Sequence, residues 1–155
     1  DVGMVHLPCP VPGLVERALF TEELALVVPS GHPLAAPDVP PPALADLAGE
    51  DFVWVPDGST PEHPFFAACL AAGFTPRIAC VSGSAEGMQA LVAAGLGISL
   101  LPRLALHPPE GAVVVDLAPP RPTRTLAVVW REGDPLTHAA RAFLEMVTED
   151  HERTG

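Results

Sequence analysis

The sequence predicts an α/β protein, and three observations predict it. Apolar strand-like runs, such as Leu24, Leu26, Val27 and Val28, alternate with stretches of helical period along the chain. Residues 91–102, LVAAGLGISLLP, join the end of a helix, a glycine stop and a short buried strand. A final stretch from about Pro135 to His151 puts Leu136, Ala140, Phe143, Leu144 and Val147 on one helical face. Strands and helices in alternation stack helices onto a sheet.

Composition sets the bounds. The 155 residues suffice for one domain or two small lobes. No apolar run approaches the roughly 18 residues of a membrane span, and no signal-peptide pattern is present. The chain opens directly on a strand-like segment, which predicts a preceding part. Eight basic residues against nineteen acidic ones give a net charge of −11. That balance opposes a nucleic-acid surface in this segment, since phosphate binding needs clustered cations. Glu145, Glu149, Asp150 and Glu152 crowd the C-terminal end and read as a solvated helix face. Cys9, Cys69 and Cys80 are odd in number and lack a C-x-x-C pair, which argues against a disulfide framework or a zinc site. Cys69 and Cys80 lie in apolar segments and read as small buried hydrophobes. Cys9 lies between Pro8 and Pro10, with no basic neighbour to activate it. The cysteine usage suits a reducing cytoplasm.

The elements follow in order. Residues 2–7 read as a strand, 14–19 as a second and 23–29 as a third. Residues 32–42 carry His32-Pro33, Pro37 and Pro40-Pro41-Pro42, a stiff connector. Residues 43–48 form a short helical turn and 52–55 a strand. Ser59 and Glu62 then have capping-box spacing. Thr60-Pro61 is the competing helix start. Either begins a helix near residue 61 that runs to Ala72 and stops at Gly73. Residues 77–81 are a strand, and Ser82-Gly83-Ser84 opens a helix with Met88, Leu91 and Val92 toward the core. Gly95 ends it by turning left-handed. Gly97 lets the next segment pass close to the helix, and Pro102 closes the run of Ile98, Leu100 and Leu101. Two more strands fall near 112–117 and 124–130.

Three stretches together are more specific. DVGMV at 1–5, LALVVPSGHPLA at 24–35 and LVAAGLGISLLP at 91–102 occur in a fixed order and at fitting separations. In this the chain resembles, over nearly its whole length, the effector-binding (regulatory, substrate-binding) domain of LysR-type transcriptional regulators. The resemblance implies the type 2 periplasmic-binding-protein-like fold, two α/β lobes joined by two crossing strands. Lobe I would hold residues 1–22 and 127–155 and be incomplete at its N-terminus. Lobe II would hold residues 23–126. It also implies a bacterial regulator that binds a small effector, needs no cofactor and is not an enzyme. DNA would be met through an N-terminal winged helix-turn-helix, and the full-length protein would form a homo-oligomer, a dimer or tetramer. The alternatives are a transporter's solute-binding protein with the same fold, or a small hydrolase.

Catalytic motifs do not fit. Gly83-Ser84-Ala85-Glu86-Gly87 only approximates a nucleophile elbow. Gly95-Leu96-Gly97 precedes a strand instead of opening a helix, so it is no dinucleotide loop. The histidines never pair at metal-ligand spacing. Binding fits better. Ser59-Thr60 and Ser82-Gly83-Ser84 each open a helix, where free N–H groups and partial positive charge gather. On spacing alone these are ordinary caps. The resemblance implies that Ser59, Thr60 and His63 line one wall of an effector cleft, with Ser82 and Ser84 close by. It also turns His6, just after the DVGMV strand, toward the cleft from the other lobe. A histidine there can donate, accept or carry charge near neutral pH, which suits a polar or anionic metabolite. Glu62, beside His63, would repel an anion.

Overall fold

In the computed structural model, residues 1–56 and 63–152 are described, with side chains through residue 147. In chain order the elements are β1 (Val2–Leu7), β2 (Leu14–Pro29), β3 (Asp51–Trp54), α1 (Pro64–Ala71), β4 (Arg77–Val81), α2 (Ala85–Ala93), β5 (Ser99–Pro102), β6 (Ala112–Val115), β7 (Thr123–Arg131) and α3 (His138–Glu152). Short 3-10 turns lie at Pro33–Ala35, Leu44–Leu47 and Arg103–Ala105. The chain divides into two α/β units, one of residues 1–22 and 124–155 and one of residues 23–123. Two continuous strands, β2 and β7, cross from one unit to the other.

β2 is where the sequence reading and the structure part. The stretches at 14–19 and 23–29 are one 16-residue strand. Thr21, Glu22 and Glu23 continue the pleat although they interrupt the apolar pattern. Their polar groups find partners across the sheet: Thr21 Oγ1 lies 2.8 Å from Thr125 Oγ1, and Arg124 donates to Glu22 Oε1 through Nε at 2.8 Å and Nη2 at 2.6 Å.

The first unit pairs β1 antiparallel to β7, with Val2 opposite Trp130 and Leu7 opposite Thr125. α3 lies on this sheet. Leu144 is buried with Leu19 and Val128, and Leu136, Phe143 and Val147 pack around them. The helix starts at His138, later than the expected Pro135, and Thr137 Oγ1 accepts from Ala140 N at 3.2 Å.

The second unit is organised by buried strands. β2 pairs antiparallel with β5 through Leu24–Val27 and with β6 through Leu26–Pro29. Pro102 closes β5 as its last residue, opposite Leu24. Strand alternation sorts the core into two faces. Leu24, Leu26, Val28, Phe52 and Trp54 join Phe65 and Cys69 of α1 on one side. Val27, Val53 and Leu101 meet Met88 and Val92 of α2 on the other. A strand buried on both faces needs a continuous apolar run, which is why LALVV carries no polar residue.

Both short helices of this unit end alike. Leu96 N donates to Leu91 O and Gly95 N to Val92 O, while Phe74 N donates to Cys69 O and Gly73 N to Leu70 O. These are Schellman closures, and both glycines take positive φ, +81° and +91°. Gly97 has a different partner from the one expected. Its close approach is to β3, not to the helix: a Cβ there would collide with the Asp51 carbonyl oxygen, and φ is +149°. The contact carries the hydrogen bonds Ile98 N to Asp51 O and Val53 N to Ile98 O, both 2.8 Å.

The core face of α2 is also rotated from the expectation. Met88 and Val92 are buried, but their companion is Gln89, wholly buried, while Leu91 sits at the rim. Gln89 Nε2 donates to Ala85 O and Ala105 O at 3.0 Å, and its Oε1 accepts from His107 N at 2.8 Å. The carboxamide fastens the 3-10 turn at Arg103–Ala105 and the loop after it to α2.

Candidate functional site

β3 and β4 form a parallel pair, with Asp51 opposite Arg77 and Trp54 opposite Val81. Parallel strands send their following helices from the same end. α1 therefore starts after β3 and α2 after β4, both at the carboxyl ends of the strands, where ligands of open α/β sheets collect. Trp54 ties this end together. Its carbonyl accepts from Ser82 N at 2.9 Å, and its ring centroid lies 6.4 Å from that of His63. Sequence reasoning passed over Trp54. It is 1% exposed, and its indole N–H has no hydrogen-bond partner among the described residues. The signal that could have found it is an aromatic residue with a polar tip at the end of a buried strand.

Ser82 and Ser84 come together over the first turn of α2. Ser84 is its N-cap: Oγ accepts from Gly87 N at 3.1 Å. Ser82 Oγ accepts from Ser84 N at 3.4 Å and lies over Gly87, where a Cβ would collide with it. Gly87 is thus the residue that admits both hydroxyls. Glu86 stands in the same turn and already complements the positive end of the helix.

His63 caps α1 by backbone only, with Pro64 in the first helical position. Its half-buried ring meets Phe65 edge-on at 4.9 Å. The expected starts at Ser59-Glu62 and Thr60-Pro61, and with them Ser59 and Thr60 as site residues, lie outside the described residues. His63 shares Trp54 with Ser82.

His6 belongs to the other unit, on β1 opposite Leu126. Burial lowers its pKa below the ordinary 6.5, the Arg124 guanidinium lowers it further, and Glu22 opposes both. At pH 7 it is a neutral imidazole, a hydrogen-bonding group and not a charge. Among the described residues no three His, Cys, Asp or Glu side chains converge as a metal site. No helix is long and apolar enough to cross a membrane among the described residues.

This geometry has relatives. The family model of the LysR substrate binding domain matches residues 1–152, and the chain belongs to that family. Two Escherichia coli proteins are each 37% identical over 136 residues, 86% of this chain and 44% of theirs. One is the DNA-binding transcriptional dual regulator OxyR of strain K12, the other the hydrogen peroxide-inducible genes activator of serotype O6:H1. The C-terminal domain of a probable LysR family regulator from Rhodococcus sp. RHA1 superposes with a TM-score of 0.76 at 33% identity, covering 96% of this chain and 74% of that one. The chain spans about half the length of the curated relatives it matches.

Proposed function

We propose that this chain is the ligand-sensing domain of a LysR-type transcription regulator, and that it takes a small polar or anionic metabolite at the carboxyl end of the β3–β4 pair. The observation that carries the reading is the convergence of two helix starts on Trp54, in a chain of this family. Ser59, Thr60, His63, Ser82 and Ser84 are the proposed contacts. Hydroxyls and free N–H groups there would accept and donate to a carboxylate or a polar headgroup. Ligand binding would shift the population of domain conformations and so change how a separate winged helix-turn-helix engages DNA. The full-length protein would work in the cytoplasm as a homo-oligomer.

The peroxide response in a relative's name does not pass to this chain through Cys69. Burial pushes that thiol up to about 12, so the nucleophilic thiolate is all but missing at neutral pH.

The test is calorimetric titration of the full-length protein with metabolites selected by a thermal-shift screen, paired with gel shifts on its promoter. Thr60→Val and Ser82→Ala should each weaken binding several-fold, and the ligand should change the gel-shift pattern. Unchanged affinity in both variants would place the ligand elsewhere.

A further inference from the structure

A cavity of about 460 Å³ opens in the second unit at the C-terminal turn of α1, away from the helix start that the proposed metabolite site uses. Ala68 and Ala71 form one wall, and Pro119 and Pro120 another. Its volume lies within the roughly 300–1,000 Å³ of small-molecule sites. Methyl groups and pyrrolidine rings offer apolar surface, and the prolines have no N–H to donate. Among the residues that line it, the guanidinium of Arg121 is the one charged donor.

That guanidinium is held in place. Arg121 Nε donates to Leu117 O at 2.9 Å and Nη1 to Glu23 Oε2 at 3.0 Å. Nη2 has no partner among the described residues. Glu23 is also shared: Arg103 Nε stands 3.7 Å from the same Oε2, while Arg103 bonds Asp116 as well. Charges thus alternate from Asp116 through Arg103 and Glu23 to Arg121. Two carboxylates balance two guanidiniums, Arg121 is the end of the ladder with Glu23 on Nη1 alone, and it lines the cavity. A fixed guanidinium with an unused edge suits a carboxylate.

We propose that this cavity is a second small-molecule site, for a monocarboxylic acid with an apolar body. The carboxylate meets Nη2 of Arg121, and the body lies on the alanine and proline walls. A second negative charge on the ligand would face Glu23, which restricts the class to monoanions.

The experiment is an amide-nitrogen NMR titration of this domain with 1-naphthylacetate and, separately, its neutral amide 1-naphthylacetamide. Saturable shifts are expected at Ala68, Ala71 and Thr123, with the acid at least tenfold tighter than the amide. Arg121→Gln should bring the acid to the level of the amide. Ala68→Phe, which fills the cavity and leaves the guanidinium alone, should abolish both. Should Arg121→Gln fail to fold, the acid–amide comparison on the wild type and the Ala68→Phe result decide. Equal affinity for acid and amide, or an Ala68→Phe variant that binds like wild type, overturns the proposal. Shifts confined to Ser82–Gly87 overturn it too, and leave the metabolite site at the β3–β4 end standing.

Discussion

Replacing Gln89 by Met keeps the volume and the helix propensity and removes only the carboxamide. The Ala85 carbonyl sits inside α2, where the helical ladder already uses it. The losses that matter are outside the helix: the Ala105 carbonyl and the His107 N–H each lose a partner. A buried polar group left unsatisfied costs about 1–3 kcal/mol. Ala105 is half-buried and His107 exposed, so both can turn to water if the loop lifts off. That puts the sum near the lower end, about 2–4 kcal/mol for the pair. With a urea m-value of about 2 kcal/mol/M, the midpoint should fall by roughly 1–2 M. Amide hydrogen exchange reads the local event directly: His107 should lose its protection while Val53 and Leu101 keep theirs under native conditions. A variant with wild-type His107 exchange and an unchanged midpoint would refute the claim that Gln89 fastens this loop.

Further predictions rest on single observations. Leu26→Ala, at a fully buried site, should cost about 2–5 kcal/mol, and Leu91→Ala, at the rim, under about 2 kcal/mol, measured as urea midpoints. Gly97→Ala should destabilise by at least about 1–3 kcal/mol, because the new Cβ meets the Asp51 carbonyl at a φ that side chains avoid; wild-type melting in that variant would disprove the contact. Cys69, at about 12, should resist alkylation in the folded protein at pH 8 and react on unfolding. Its unfolded value is 9.0, so above pH 9 the unfolded state sheds the proton first, and stability should fall between about pH 9 and 12. The neutral His6 works at the other end of the scale. Its folded pKa lies below 6.5, the unfolded state binds the proton first, and stability should be full above about 6.5 and decline as pH drops through it. An NMR titration of the His6 ring with a midpoint at or above 6.5 would contradict the burial beside Arg124.

Much of the local structure was legible in the residues themselves. Strand and helix positions follow from period and from glycine stops, because a left-handed turn after a helix is a local demand that Gly73 and Gly95 meet alone. Ser84 could be placed as a helix start for the same reason: a hydroxyl three residues before a free N–H caps it whatever the surroundings. What tertiary structure decided is pairing. The polar Thr21, Glu22 and Glu23 look like a break between strands until Thr125, Arg124, Arg103 and Arg121 stand across from them. Gln89 looks like a surface residue on a helix until Ala105 and His107, 16 and 18 residues on, fold back over it. Gly97 reads as a close approach, but only the fold says that its partner is Asp51. Trp54 reads as core from its strand and becomes a candidate site residue only because a parallel neighbour brings Ser82 to its carbonyl and α1 brings His63 to its ring. Period and propensity act within a few residues, so most elements were legible in the sequence, while the continuity of β2 through Thr21, Glu22 and Glu23 was not. Hydrogen bonds and charges between residues distant in sequence depend on register, which no local pattern specifies, and so the polar contacts around the candidate site were decided by the tertiary structure.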